Sequence, residues 1–227
     1  MKKSITGKVG VVLAATMLAA YAIGTCAAED SGFLRDYSNL EETKDAQGRI
    51  IYRSWVSTKL TPAKYDAVLL DPIVYYPEPR PTDQISAETL QEILAYSNDL
   101  HKRSVANRFR VVDRAGPGVV RIRTAFTAVA AKGEGLKAYQ LIPVAFIATM
   151  ASRAAKGRPQ RAFLEVETEA TDSVTGELLG LRVRIGTGER LANIGEQKVI
   201  LLDTLKPLLD ELAANAYPEM AKYVKPK

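Results

Sequence analysis

Three stretches of the chain alternate apolar and polar residues with a period of two. In Val119 to Val129, Ile122, Thr124, Phe126 and Ala128 alternate with Arg121, Arg123, Ala125 and Thr127. In Phe163 to Thr171, Leu164, Val166, Thr168 and Ala170 alternate with Glu165, Glu167 and Glu169. In Leu179 to Thr187, Leu181, Val183 and Ile185 alternate with Arg182 and Arg184. This period predicts strands with one apolar and one wet face. Asp172 to Glu177 reads as the hairpin turn between the last two, with Gly176 free to take positive φ. A four-residue loop there sets Glu165 opposite Arg184 and Glu167 opposite Arg182. With the Arg121/Arg123 strand on the other side, the three glutamates form a solvated charge ladder, each cross-strand pair contributing about 0.2–1 kcal/mol.

Helical spacing occurs twice. From a start near Thr82 or Asp83, both N-cap types, Leu90, Ile93, Leu94, Ser97, Leu100, Val105 and Phe109 fall on one stripe. A final helix from about Asp203 to Tyr217 aligns Leu205, Leu208, Leu209, Leu212 and Ala216. Asp203 is its expected cap, Pro207 belongs in its first turn, and Pro218 stops or kinks it. Tyr65 to Leu70 begins a strand that Ile73 to Tyr76 prolongs past Pro72, and Arg110 to Asp113 adds a short one. Pro77, Pro79 and Pro81 end the former in a stiff polyproline II connector. The expected architecture is α+β: a single domain over residues 60–227, with a mainly antiparallel sheet of about four to five strands, a long helix after the first strand and a C-terminal helix. Residues 29–59 show no sustained period and read as an extended arm.

The first 28 residues change the picture of where the protein works. Lys2, Lys3 and Lys8 precede an apolar run from Val9 to Ile23, followed by the small residues Gly24-Thr25-Cys26-Ala27-Ala28. That order predicts a secretory signal peptide, too short in its apolar part for the roughly 20 residues of a membrane span. Ile23-Gly24-Thr25-Cys26 reads as a lipobox, which makes residues 1–25 the leader and Cys26 the lipidated N-terminus; the alternative is cleavage after Ala28. Either way the address is the bacterial cell envelope: the periplasm, with an outer-membrane anchor if Cys26 is acylated. No other Cys occurs, in keeping with an oxidising compartment.

Charge and composition then exclude more than they identify. The whole chain has 31 Lys plus Arg and 26 Asp plus Glu, but the leader takes three lysines and no acid, so no nucleic-acid partner is expected. One Cys and one His exclude most metal sites, and no metal or cofactor is expected. His101 is the sole imidazole available to a serine or cysteine nucleophile; with none in reach, it reads as a half-buried helical residue. Gly186-Thr187-Gly188 lacks the Lys and the spacing of a phosphate loop.

Residues 133–157 form an apolar insert that breaks the strand pattern. Tyr139, Leu141, Ile142, Pro143 and Phe146 lie in its apolar run, followed by Arg153, Lys156, Arg158 and Arg161. Three readings are open: burial against the domain, contact with another chain through those five residues, and dipping into lipid.

These segments together resemble a bacterial family of candidate lipoproteins, domain of unknown function 3313. The resemblance covers nearly all of the chain after the leader. It rests on Ser31-Gly32-Phe33-Leu34-Arg35-Asp36-Tyr37, on Pro72 through Pro81, on Gly135 to Pro143, and on Asp172 to Glu177 with Gly186-Thr187-Gly188. Most members begin at a lipobox Cys, which the resemblance places at Cys26; Thr25 departs from the usual Gly, Ala or Ser. It implies no activity, cofactor or catalytic residue.

The leading functional expectation is therefore a non-enzymatic envelope protein that binds another envelope protein or the cell wall, with no catalytic residue. One alternative is a periplasmic small-ligand binder using Tyr65, Tyr75, Tyr76 and Tyr139. The other is a cell-wall hydrolase working through Glu165, Glu167 and Glu169, whose Arg neighbours argue against the raised pKa a general acid needs.

Overall fold

The alternating stretches become the long strands at the centre of one sheet. The computed structural model describes residues 30–48, 50–81, 85–133, 160–191 and 200–227. Among these, β1 (Glu41–Lys44) and β2 (Ile50–Val56) form an antiparallel hairpin, followed by the short β3 (Ala67–Leu70) and β4 (Val74–Tyr75). Helix α1 (Ala87–Ala106) leads to β5 (Arg110–Val112), then to β6 (Val119–Gly133), β7 (Gln160–Asp172), β8 (Leu178–Leu191) and helix α2 (Leu202–Met220). The strand order is β1-β2-β8-β7-β6-β3-β5, with β4 also beside β6. The described residues form a single mixed α/β domain with one eight-stranded sheet, more strands than the four to five expected.

The extra strands have two sources. The segment expected to be an arm supplies β1 and β2, and β2 pairs antiparallel with β8 from Tyr52↔Arg184 to Val56↔Gly180. On the other edge, β3 and β4 run parallel to β6 in succession, split where Pro72 interrupts the strand. Proline has no amide for the ladder, so one extended segment becomes two.

Both helices pack on the same face of the sheet. The stripe on α1 is as the spacing predicts, with Ile93 and Val105 fully buried and Leu90 nearly so. Its start is different: the helix begins at Ala87 and Ser86 is the cap, its Oγ accepting from the Thr89 amide at 3.0 Å, while Thr82 and Asp83 fall outside the described residues. Helix α2 starts one residue earlier than expected, with Leu201 at the cap position and no side-chain cap bond; Asp203 instead pairs with Lys206 one turn on. It continues through Pro218 to Met220. Leu205, Leu208, Leu209 and Leu212 join Ile73, Ile85, Phe126 and Leu164 in one core cluster. Gly186 on β8 permits this approach: a Cβ there would lie 2.8 Å from Leu208 Cδ1 and 3.1 Å from Leu212 Cδ1.

The hairpin register decides what each face carries. The turn has the four-residue loop the sequence predicts, and Thr171 faces Leu178. Immediately beyond, the register shifts, and Ala170 faces Gly180 with Leu179 as the extra residue. The pairs from there to Phe163↔Thr187 are displaced by one: Glu167 faces Val183, Glu169 faces Leu181, and Arg184 faces Val166. A one-residue slip moves a strand's side chains to the opposite faces. The expected pairs Glu165–Arg184 and Glu167–Arg182 therefore do not form. Arg182 and Arg184 turn toward the helices, and the glutamates lie on the far face with Leu181 and Val183. On the other flank the expectation holds, since Arg123 faces Glu169 across β6 and β7.

Candidate functional site

Two places in the fold collect polar groups: the glutamate row on the far face, and a cavity under the helices. The row is not solvated. Glu167 and Glu169 are 1% and 0% exposed, because residues 30–40 cross the far face as a strap. Phe33 and Leu34 are buried there against Ala125, Leu181 and Val183. Arg35 Nε and Nη2 donate to Glu169 Oε1 at 3.1 and 3.0 Å, its amide donates to Oε2 at 3.3 Å, and Arg123 Nη1 adds a bond at 3.1 Å. Tyr37 OH donates to Glu167 Oε2 at 2.6 Å and accepts from the Gly32 and Leu34 amides, each at 3.1 Å. Burial, with the Glu167 carboxylate beside it, raises the Tyr37 pKa to about 12.

Among the described residues no cation bonds Glu165, and Arg53 acts on it only through space. Thr127, the extra residue where β6 bulges, donates to Glu165 Oε1 at 3.1 Å. Burial, with the neighbouring Glu167 second, raises the Glu165 pKa to about 7. Among the described residues, no group of three or more His, Cys, Asp and Glu is placed to hold a metal ion. Each carboxylate of the row is engaged by the strap or by β6. Glu167 and Glu169 fasten residues 30–40 to the sheet.

The cavity lies on the opposite face, between the sheet and both helices, with a volume of about 280 Å³. Its origin is legible in side-chain size. Small residues face it from most sides: Ser97 of α1, Thr124 of β6, Thr168 and Ala170 of β7, and Ala213 and Ala216 of α2. Small groups on facing elements leave space that a close-packed core would fill. The walls are mostly apolar, from Leu60, Ile122, Phe126 and Leu212 among others.

The polar groups in the cavity are few. Thr124 and Thr168 hydroxyls approach to 3.4 Å. Ser97 is 4% exposed and its Oγ has no hydrogen-bond partner among the described residues. His101, one turn along α1, also faces the cavity, and burial lowers its pKa to about 4, so it is neutral at pH 7. With Ser97 Oγ unbonded, the two do not form a nucleophile–base pair. At one wall, Arg182 pairs with Glu219 and stacks its guanidinium 4.3 Å from the Tyr52 ring. Arg184 beside it is half-buried; its Nη1 donates to the Leu212 carbonyl at 3.1 Å, and burial lowers its pKa.

The other expected site residues divide. Tyr65 is fully buried and bonds Asp172, Tyr75 bonds the Leu90 carbonyl, and Tyr76 lies against Phe33. None of these three lines the cavity, whereas Tyr52 and Tyr223 do. Tyr139, Leu141, Ile142, Pro143, Phe146 and Cys26 lie outside the described residues. The sequence reading missed the cavity because the small residues named above lie on four separate elements, which no single periodicity brings together. The misplaced register also assigned Arg184 to the wet face.

Comparison with known proteins agrees with the family resemblance. The model of the family described as "Protein of unknown function (DUF3313)" matches residues 29–216. The chain is 36% identical over 186 residues to the "Uncharacterized lipoprotein YdcL" of Escherichia coli (strain K12), covering 82% of each chain. Among solved structures, the hypothetical protein CT253 from Chlamydia trachomatis matches with a TM-score of 0.40 and 7% identity, covering 70% of this chain and 98% of that one. The PelC dodecamer from Paraburkholderia phytofirmans matches with a TM-score of 0.36 and 8% identity, covering 78% and 98%. The chain belongs to the DUF3313 family of proteins of unknown function.

Proposed function

We propose that the protein is a non-enzymatic, lipid-anchored binding module of the periplasm, tethered to the outer membrane through Cys26, and that its cavity receives a small apolar ligand. The observation that carries the binding role is the cavity itself: mostly apolar walls, about 280 Å³, and a buried Ser97 hydroxyl with no partner among the described residues. That volume is near the lower end of small-molecule pockets, about 300 Å³. A buried hydroxyl without a partner costs about 1–3 kcal/mol.

The test is binding of the neutral fluorophore N-phenyl-1-naphthylamine to the full chain and to Ser97→Leu. The larger side chain fills the space and removes the orphan hydroxyl. It is expected to stabilise the fold by about 1–2 kcal/mol in denaturant titration while weakening probe binding at least about tenfold. Equal probe binding by both proteins would sink the cavity reading.

The anchor reading rests on the leader and on the lipoprotein relative. It has a geometric consequence. Asp30 is already fastened to Arg53 by an ion pair of 3.1 Å, so four residue steps separate Cys26 from the folded strap. At about 3.5 Å per residue, the tether reaches at most about 14 Å, which holds the domain at the membrane surface. Intact mass of the chain from a native membrane fraction is expected to show a triacylated N-terminus at Cys26. A free N-terminus at Glu29 would remove the anchor.

A further inference from the structure

We propose that the cavity selects a single-chain amphiphile with an anionic head group, a carboxylate or a phosphate ester, and that Arg184 holds the head; the proposal rests on the cavity reading above.

The cavity lining carries Arg182, Arg184 and Lys222 against Glu219, with Glu211 near Arg184. Arg182 and Arg184 stand two residues apart on β8, facing the helices. Arg182 is matched by Glu219 and by the Tyr52 ring. Arg184 forms no ion pair among the described residues. One of its five N–H groups is committed to the Leu212 carbonyl, at the end of the apolar stripe of α2. A half-buried guanidinium with donors to spare, at the rim of an apolar space, is complementary to an anion that carries hydrocarbon.

The rest of the lining fits the same molecule. Ile122, Phe126, Leu209 and Leu212 offer an apolar path for a hydrocarbon chain. A cationic head would meet three cations of the lining, Arg182, Arg184 and Lys222, against Glu219, already paired with Arg182, and Glu211 near Arg184. The chemistry at the wall thus discriminates by sign of charge, and the apolar cavity by length and width of the chain.

The experiment is displacement of N-phenyl-1-naphthylamine from the full chain by four ligands of equal chain length: decanoate, decyl phosphate, decanol and decyltrimethylammonium. At least one anion is expected to displace the probe at a concentration at least about tenfold below decanol, the effect of one charge-assisted hydrogen bond. The cation is expected to need at least about tenfold more than decanol. Whichever anion competes better identifies the head as carboxylate or phosphate. In Arg184→Gln, the advantage of the anions over decanol is expected to vanish, with decanol itself unchanged. Equal competition by anion and cation on the unaltered chain overturns the head-group assignment and leaves the cavity reading standing. Failure of the fluorophore to bind at all overturns both. Because the four-ligand comparison needs no variant, it decides the matter even if Arg184→Gln does not fold.

Discussion

Glu169→Ala is expected to lower stability by about 2 kcal/mol and to release the strap from the sheet. Glu169 is fully buried, and four donor groups converge on its two oxygens: Nε, Nη2 and the amide of Arg35, and Nη1 of Arg123. Removing one partner of a fully buried ion pair costs about 3–5 kcal/mol when the other is stranded. Here the stranded charges are not enclosed, since the side chains of Arg35 and Arg123 are 48% and 40% exposed. Water takes up part of the loss, and the variant no longer bears the desolvation of a buried carboxylate. The net effect is placed below that range for these reasons. At about 2–4 °C per kcal/mol for a domain of this size, the melting midpoint is expected to fall by about 4–8 °C. Trypsin supplies a local readout. The bond after Arg35 lies in the strap, and it is expected to be cut under native conditions in Glu169→Ala and to resist in the unaltered chain. A variant within about 0.5 kcal/mol of the parent, with Arg35 still protected, would show that the apolar contacts of Phe33 and Leu34 alone hold the strap.

That strap marks the boundary of what the sequence made legible. The long strands β6, β7 and β8 were readable because period-two alternation survives over nine or more residues, and the helices because their leucine stripes have no other explanation. The faces were not, because one residue decides them. Leu179 interrupts the ladder next to the turn, and everything beyond it exchanges sides. A local sign was present. Leu178 and Leu181 are three apart, yet both join the far-face cluster, which regular alternation forbids. Residues 30–40 offered no period at all. Their hold on the sheet comes from Phe33, Leu34, Arg35 and Tyr37 meeting partners more than a hundred positions away, and from turns that fold Tyr37 OH back onto its own backbone. The buried glutamates follow from the same fact. Three acids alternating along a strand look solvated until something covers them. The cavity was illegible for the converse reason, being made of what several elements lack.

Glu165→Gln is expected to stabilise the protein by about 2 kcal/mol at pH 8.5 and to leave it unchanged near pH 4. Glu165 sits at the end of the row that no strap residue neutralises, with Thr127 as its donor. Burial, followed by repulsion from Glu167, raises its pKa from 4.5 to about 7. A carboxyl that binds its proton more tightly when folded contributes stability that is complete below its unfolded pKa. That contribution declines as pH rises and is lost once pH passes through about 7. Above pH 8 the unaltered protein must hold a partly buried negative charge next to another. At about 1.4 kcal/mol per pKa unit, the displacement corresponds to at most about 3 kcal/mol, and partial contact with water reduces the expected effect to about 2. Gln keeps the size and the acceptor oxygen for Thr127 and carries no charge at any pH. Urea titrations of the two proteins between pH 4 and 9 are expected to coincide at the acid end and to separate between pH 5 and 8, with the variant the more stable. Parallel curves across that range would mean that Glu165 titrates as an ordinary surface acid. The same measurement reports on the cavity face, because Arg184, His101 and the helices lie across the sheet from Glu165. If ligand binding and the strap are independent, probe affinity in Glu165→Gln stays constant over the pH interval in which its stability diverges from the parent.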